Sequence, residues 1–168
     1  MNNTHLKTIM TAFALTLSVA GFCTEPNPDS GWTKAADNRI YAQSLVNEAM
    51  AKNPDLVVIG IHASRPGSDD QRMVATNLDR VGKEDDEDDK SAARLNKTVL
   101  VPNPTDPTRF EVLMPMEDSS GNVIGAAGFV FKYRKGDDQV KLLIKATSLR
   151  NEFAKKIKTK ADLFKPIK

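Results

Sequence analysis

The sequence predicts an α+β fold, in which a five-stranded antiparallel sheet packs against an N-terminal and a C-terminal amphipathic helix. Two long segments with helical spacing of apolar residues, 35–52 and 137–158, predict the helices. Between them lie five short segments rich in β-branched and apolar residues. The connections between the first two and the last two of these strands are too short for parallel crossovers, so both pairs are predicted to be antiparallel.

Residues 1–23 have the pattern of a secretory signal peptide, in which a polar start precedes a short apolar run over residues 9–22. That run is too short to span a bilayer stably. Residues 24–34 are rich in Pro, Gly and Ser and predict a linker, so the single folded domain covers residues 35–168. We therefore expect a periplasmic or secreted protein with no transmembrane anchor.

The chain has one Cys, two His and a formal net charge of +2. Cys23 is either discarded with the signal peptide or carries the lipid of a bacterial lipoprotein, although the bulky Phe22 precedes it. Cleavage near Cys23 also removes His5, which leaves His62 as the only histidine and no cysteine. This composition argues against a disulfide framework and against zinc sites built from two or more His or Cys. The near-neutral charge gives no reason to expect a nucleic-acid partner.

The first predicted helix, over residues 35–52, repeats apolar residues every four positions and ends before Pro54, which disfavours a helical Asn53. Residues 56–63 (LVVIGIHA) are β-branched and apolar enough to form a strand buried on both faces. Residues 72–78 predict a second strand that pairs with the first.

Residues 81–93 are polar and acidic, and residues 98–101 predict a short third strand. Residues 102–108 contain three prolines and predict a loop. Residues 109–116 alternate as a strand does, with Glu111 on one face. The opposite face carries Phe110, Val112, Met114 and Met116.

Residues 119–122 predict a hairpin turn in which Gly121 adopts a positive φ. Residues 123–133 form the longest predicted strand, and Asp137 and Asp138 cap the helix that follows. The inward side chains predicted for that helix are Val140, Leu143, Ile144, Thr147, Phe153 and Ile157.

Three segments that follow the first helix carry a resemblance to a known family. They are residues 55–61 (DLVVIGI), 73–81 (MVATNLDRV) and 111–133 (EVLMPMEDSSGNVIGAAGFVFKY). Together they resemble an extracytoplasmic single Cache sensor domain of the PAS-like superfamily. The most specific part is the P-x-x-D pattern at residues 115–118 with G-x-x-x-G at 121–125, where such domains join their last two strands.

The resemblance covers residues 35–135 and implies a sheet that holds a small molecule against one face. In the family, that molecule is often an amino acid, a carboxylate or an amine. The chain lacks the aromatic-Arg-aromatic motif of the amino-acid-binding members and the signalling domain of a receptor. We therefore expect a stand-alone exported module that binds a small molecule, with a membrane receptor as a further partner.

Five polar residues are the predicted ligand contacts: His62, Arg65, Asn77, Asp79 and Arg80. His62 has a reference pKa near neutral pH, and Arg65 suits a carboxylate, which a guanidinium binds with two hydrogen bonds. Asn77, Asp79 and Arg80 close the second strand with a donor, an acceptor and a cation, which suits a zwitterionic ligand. The alternatives are a structural histidine at the end of the sheet, a solvated arginine and a surface ion pair of little energetic value.

Three glycines lie inside predicted strands, where glycine usually marks a bulge or a close approach: Gly60, Gly125 and Gly128. They either open room for a ligand or accommodate the C-terminal helix. The acidic run at residues 84–89 lacks the Gly and Glu of a calcium-binding EF-hand loop, so we expect a solvated loop and no metal site. The alternative for this run is a loose cation site at the surface.

No G-x-S-x-G, P-loop, G-x-G-x-x-G or H-E-x-x-H motif occurs, so neither an enzyme nor a cofactor is predicted. The favoured hypothesis is a small-molecule-binding module for extracytoplasmic sensing, which requires a cavity on one sheet face. The alternative is a structural or partner-binding periplasmic protein with a filled core and an exposed apolar patch. An enzyme built around His62 would require an acid or a nucleophile within hydrogen-bond reach of the imidazole.

Overall fold

A computed structural model of the chain describes residues 33–167. The predicted signal peptide (1–23), including Cys23, lies outside the described residues, as does the predicted linker up to residue 32. Within residues 33–167, no helix is long and apolar enough to cross a membrane.

The fold is α+β, as predicted, and the strands form one antiparallel sheet. The strands are β1 (Leu56–Ser64), β2 (Gln71–Thr76), β3 (Val99–Pro102), β4 (Arg109–Glu117) and β5 (Val123–Lys132), and the helices are α1 (Tyr41–Lys52), α2 (Glu87–Arg94) and α3 (Gln139–Lys156). The strand order is β2-β1-β5-β4-β3. This five-stranded sheet with its flanking helices is consistent with the predicted PAS/Cache-like fold class.

The pairing of β1 with β5 joins the two predicted hairpins at the centre of the sheet. The hairpins β1–β2 and β4–β5 are antiparallel, as predicted. In the β4–β5 turn Gly121 has a φ of 84°, which confirms the predicted turn residue. The central pairing places Gly60 of β1 directly opposite Gly128 of β5, two residues that are far apart in the sequence.

One face of the sheet is apolar and packs against α1 and α3. The predicted alternation in β4 is confirmed, because Phe110, Val112, Met114 and Met116 all belong to this core. Phe129 and Phe131 of β5 join them, and the ring of Phe129 lies 6.0 Å from that of Phe153 in α3. The other face carries Glu111 and Leu113 and is partly covered by α2, which the sequence did not predict.

The helix α1 begins at Tyr41, six residues later than predicted. Before it, the side chain of Asn38 donates hydrogen bonds to Val74 O at 2.9 Å and to Gln43 Oε1 at 3.2 Å. Ile40 is extended and forms an isolated bridge with Pro166. These contacts hold residues 38–40 in a non-helical conformation, while the predicted end of the helix at Asn53 is confirmed.

The inward face predicted for α3 is wrong at Val140 and Ile144, which are 61% and 64% exposed. The helix instead buries Ala146, Leu149 and Phe153. At about 100° per residue, Val140 and Ile144 lie roughly 120–160° around the helix from Ala146. The sequence thus offers two apolar stripes, and packing on the sheet selects one. Asp138 caps the helix as predicted, since its carboxylate accepts from the backbone N–H of residues 140 and 141.

Candidate ligand pocket

A cavity of about 460 Å³ lies on the sheet face opposite α1 and α3. Its floor contains Gly60 and Gly128, which face each other across β1 and β5. A Cβ atom on Gly60 would lie 2.9 Å from Nε2 of His62, and one on Gly128 would lie 2.7 Å from Oε1 of Glu111. The two glycines therefore leave the space in which the imidazole and the carboxylate lie over the sheet. This supports the interpretation that glycines on neighbouring strands open room for a ligand.

Gly125 has a different role, because a Cβ atom there would collide with the backbone oxygen of His62. It permits a close approach of β5 to β1 and does not line the cavity. The three strand glycines thus divide into two that form the cavity floor and one that permits strand packing.

His62 forms a buried cluster with two aspartates at the inner end of this cavity. Its Nδ1 lies 2.6 Å from Oδ1 of Asp85 and 3.6 Å from Oδ2 of Asp89. His62 and Asp85 are each 4% exposed and Asp89 is 7% exposed. Because Nδ1 faces Asp85 and Nε2 lies close to Gly60, the second ring nitrogen is directed toward the cavity floor.

The segment between β2 and α2 positions both aspartates. An isolated bridge between Arg72 and Glu84 holds it against β2, next to the position of Asp85. Asp86 then caps α2, because its carboxylate accepts from the backbone N–H of Asp89 at 3.1 Å. The side chain of Asp89 accepts in return from the backbone N–H of Asp86 at 3.4 Å, which completes a capping box. The first turn of α2 is thereby fixed with Asp89 beside His62.

The electrostatics of the cluster shift three pKa values upward. Burial lowers the pKa of His62, but the hydrogen bond and charge of Asp85, with the charges of Asp89 and Glu111, outweigh it and raise the pKa overall. Burial also raises the pKa of Asp89, against the opposing charge of His62. For Glu111, burial and the charge of Asp89 both raise the pKa. The inner end of the cavity is therefore a buried, acid-rich environment that favours an added positive charge.

The outer part of the cavity carries both signs of charge. Arg80, Lys83 and Arg109 line it together with Asp86, Asp88 and Asp106. Arg109 pairs with Asp106 at 2.7 Å. An acidic interior with cations nearer the opening can hold a molecule that has an ammonium group at one end and a carboxylate at the other.

Comparison of the sequence with models of known protein families finds none that matches. Comparison with curated proteins likewise finds no similar protein.

The structure brings two of the five predicted ligand contacts, His62 and Arg80, to this cavity. Asn77 instead holds β1, because its Oδ1 accepts from Ile59 N at 3.0 Å and its Nδ2 donates to Val57 O at 2.9 Å. Asp79 is exposed and lies 3.9 Å from Lys34. Arg65 lies in the turn after β1 and lines a separate, smaller cavity of about 260 Å³.

Two residues of the cavity, Asp89 and Glu111, and Asp85, which contacts His62 from behind the cavity lining, were not among the predicted contacts. The expectation of a solvated acidic loop at residues 84–89 is wrong for Asp85 and Asp89, which are buried against His62. The sequence did mark Glu111 as unusual, since it is an acid inside an otherwise apolar strand. Such a residue costs stability unless it is paired or protonated, and it is therefore a candidate for function.

Proposed function

We propose that the chain is an exported, stand-alone Cache-like module that binds a small molecule of the amino acid, carboxylate or amine class for extracytoplasmic sensing. The observation that carries the proposal is the cavity of about 460 Å³ on the sheet face opposite the long helices. Its volume falls within the range of roughly 300–1,000 Å³ that small-molecule sites occupy. The proposal extends to a membrane receptor as the partner that would read the bound state.

The charges of the cavity favour a ligand that carries an ammonium group. Asp89 is buried and Glu111 is half-buried, and the pKa values of both carboxylates are raised. A bound cation would stabilise their ionised forms. Arg80 and Lys83 lie nearer the opening and suit the carboxylate of the same ligand. Within the proposed classes, a zwitterionic amino acid therefore fits better than a simple carboxylate.

The alternative, a structural or partner-binding periplasmic protein with no ligand pocket, requires a filled sheet face. Instead, Gly60 and Gly128 remove side chains from the centre of the sheet at the place where the cavity lies. Glycine inside a strand costs stability relative to residues with side chains. A face built only for packing would carry apolar side chains at both positions, so the cavity floor favours ligand binding.

An enzyme built around His62 is a second candidate, favoured by one observation. Asp85 lies 2.6 Å from Nδ1 and orients the ring, while Nε2 lies over the cavity floor. That arrangement suits a general base, which needs an orienting partner on one nitrogen and free access on the other. Turnover of a bound compound, with loss of turnover but not of binding in Asp85→Asn, would favour the enzyme over the binding module.

A thermal-shift screen of the purified protein against amino acids, carboxylates, amines and purines tests the proposal. A ligand present at 100 times its Kd adds about 2.7 kcal/mol of stability. We expect amino acids or amines to raise Tm, and Glu111→Gln and Arg80→Ala to weaken the hit. Asp79→Asn is the matched control, because Asp79 is exposed next to Arg80 in the sequence but outside the cavity.

The proposal is contradicted if no compound class raises Tm. It is also contradicted if Glu111→Gln and Arg80→Ala bind the hit as tightly as Asp79→Asn does, since the ligand would then occupy another site.

A further inference from the structure

We infer that His62, Asp85 and Asp89 form a binding site for a divalent transition metal ion, with Zn²⁺ as the best-fitting ion. This goes beyond small-molecule binding, because it places a metal at the inner end of the cavity. It also differs from the expectation from the sequence, which was no metal site, with a loose surface cation site in the acidic run as the alternative.

The first support is geometric. Each of the three residues offers one ligand atom, and these atoms all lie within 4.8 Å of one another. With metal–ligand bonds of about 2.0–2.2 Å, two ligands of one tetrahedral ion lie roughly 3.4 Å apart. The separation of His62 Nδ1 from Asp89 Oδ2, 3.6 Å, is already close to this value. Asp85 Oδ1, at 2.6 Å from Nδ1, would move away by less than about 1 Å as the ion replaces the shared proton.

The second support is an oxygen atom without a partner. Oδ2 of Asp85 is buried and accepts no hydrogen bond from the described residues. A buried carboxylate oxygen in this state is energetically costly, and such atoms are rare in folded proteins. The atom belongs to the carboxylate whose Oδ1 contacts His62, so a cation that this carboxylate binds through both of its oxygens would satisfy it.

The third support is the orientation of Asp89 by its neighbours. Its Oδ2, the atom that faces His62, also accepts from the backbone N–H of Asp86 in the capping box. Hydrogen bonds of this kind to a ligating carboxylate hold it in position and strengthen metal sites. The first turn of α2 therefore presents the ligand without a further rearrangement of the backbone.

The donor set decides the class of ion. Mg²⁺ and Ca²⁺ prefer oxygen ligands alone, whereas an imidazole nitrogen with carboxylate oxygens suits Zn²⁺ and other first-row transition ions. Three protein ligands leave a fourth position of a tetrahedral zinc ion open. Because the cluster lies at the cavity, that position is available to water or to a donor atom of a bound molecule.

The test measures metal binding with no organic ligand present, so its outcome is independent of the proposed function. Untagged protein carrying Cys23→Ser, which removes the chain's one thiol, is freed of metal with a chelator and titrated calorimetrically with Zn²⁺. Co²⁺ is titrated in parallel, because its visible absorption reports the coordination geometry. We expect one ion per chain, a raised Tm, and a visible Co²⁺ spectrum of low coordination number.

Variants assign the site to these residues. We expect Asp89→Asn and Asp85→Asn each to weaken Zn²⁺ binding at least about 100-fold. Glu87→Gln is the matched control, because Glu87 lies in the same acidic run but is exposed, outside the cluster and not part of the cavity lining. Circular dichroism establishes that each variant is folded, and if Asp85→Asn does not fold, Asp89→Asn alone decides.

Three outcomes would overturn the inference. One is the absence of stoichiometric Zn²⁺ binding. Another is an equal loss in Glu87→Gln and Asp89→Asn, which would show diffuse attraction to the acidic run. The third is Mg²⁺ or Ca²⁺ binding as tight as that of Zn²⁺, which would exclude a role for the imidazole.

Discussion

The two faces of the sheet are built from the same strands but differ in the polarity of their side chains and in how completely those side chains fill the space above the sheet. The face toward α1 and α3 carries Phe110, Phe129 and Phe131, all fully buried among apolar neighbours. On the cavity face, the centre of the sheet carries glycines where the helix face carries phenylalanines, and Glu111 adds a half-buried carboxylate. Strand alternation alone produces this contrast, because successive side chains point to opposite faces.

The contrast separates the face that stabilises the fold from the face that we propose binds a ligand. Apolar burial on the helix face contributes most of the folding free energy, since each buried aromatic ring removes a large area from water. The cavity face instead holds carboxylates whose pKa values are raised, which shows that the fold destabilises their ionised forms. The proposed ligand or ion would stabilise these ionised forms.

The largest effect is expected from a cavity created on the helix face. Phe129→Ala should lower the free energy of unfolding by about 3–5 kcal/mol, because Phe129 is fully buried and packs against Phe153. Urea denaturation measures the loss. Ile144→Ser is the control, and because Ile144 is largely exposed it should change the value by less than about 0.5 kcal/mol. Equal losses in the two variants would contradict the assignment of the core to this face.

A smaller effect separates the two kinds of strand glycine. Gly125→Ala should cost about 1–3 kcal/mol, since its methyl group meets the backbone of His62 and a strand must move. Gly128→Ala meets the end of the flexible Glu111 side chain, so we expect a change below about 1 kcal/mol. Its effect should appear in binding instead, as an affinity for the screening hit at least about tenfold weaker. Two results would contradict the distinction between a glycine of the cavity floor and a glycine that permits strand packing. One is an equal loss of stability to denaturant in Gly125→Ala and Gly128→Ala, and the other is an unchanged affinity in Gly128→Ala.

The smallest effect is a gain in stability on the cavity face. Because the pKa of Glu111 is raised above its ordinary value of 4.5 in the folded protein, its ionised form opposes folding at neutral pH. Glu111→Gln should therefore raise Tm at pH 7. The gain should shrink as the pH falls through the raised pKa and vanish below the ordinary value of 4.5, where the wild-type acid is protonated in both states. Thermal unfolding at a series of pH values measures the difference between the two proteins.

Asp118 is a matched carboxylate whose pKa is shifted in the opposite direction from that of Glu111. In the β4–β5 turn, hydrogen bonds from the Asn122 side chain and from backbone N–H groups, including that of Ser120, hold the pKa of Asp118 below its ordinary 3.8. Its stabilisation is present above pH 3.8 and is lost as the pH falls through the lowered pKa. Asp118→Asn should lower Tm at pH 7. The difference in Tm from the wild-type protein should disappear as the pH falls below the lowered pKa of Asp118. A decrease in Tm for Glu111→Gln at pH 7 would contradict the view that the cavity carboxylates oppose folding.

Local pattern was enough to predict most of the strands. Period-two alternation assigned Phe110, Val112 and Met114 to the core, and it also separated Glu111 from them. The turn at Gly121 followed from its φ requirement, and the end of α1 followed from Pro54. Each of these features depends on neighbours within a few residues, so a single sequence contains the information.

The helices were harder to predict, because tertiary contacts decided them. Residues 38–40 have helical spacing, yet Asn38 donates to Val74 and prevents α1 from starting earlier. The segment containing α2 is too polar to show a periodic apolar face, although its capping box and the buried Ala92 make it a helix against the sheet. In α3, two apolar stripes of side chains both have helical spacing, and only contact with the sheet decides which one is buried.

The sequence by itself determined the α+β class, the faces of the strands and the importance of His62 as a candidate contact. The tertiary structure decided what His62 faces, since Asp85 lies 23 residues further along the chain and reaches it only through the β2–α2 connection. It also decided that Gly60 opposes Gly128, through the β1–β5 pairing. Periodicity records which side chains share a face, but the register between distant strands is set by long-range packing. The candidate site depends on that register.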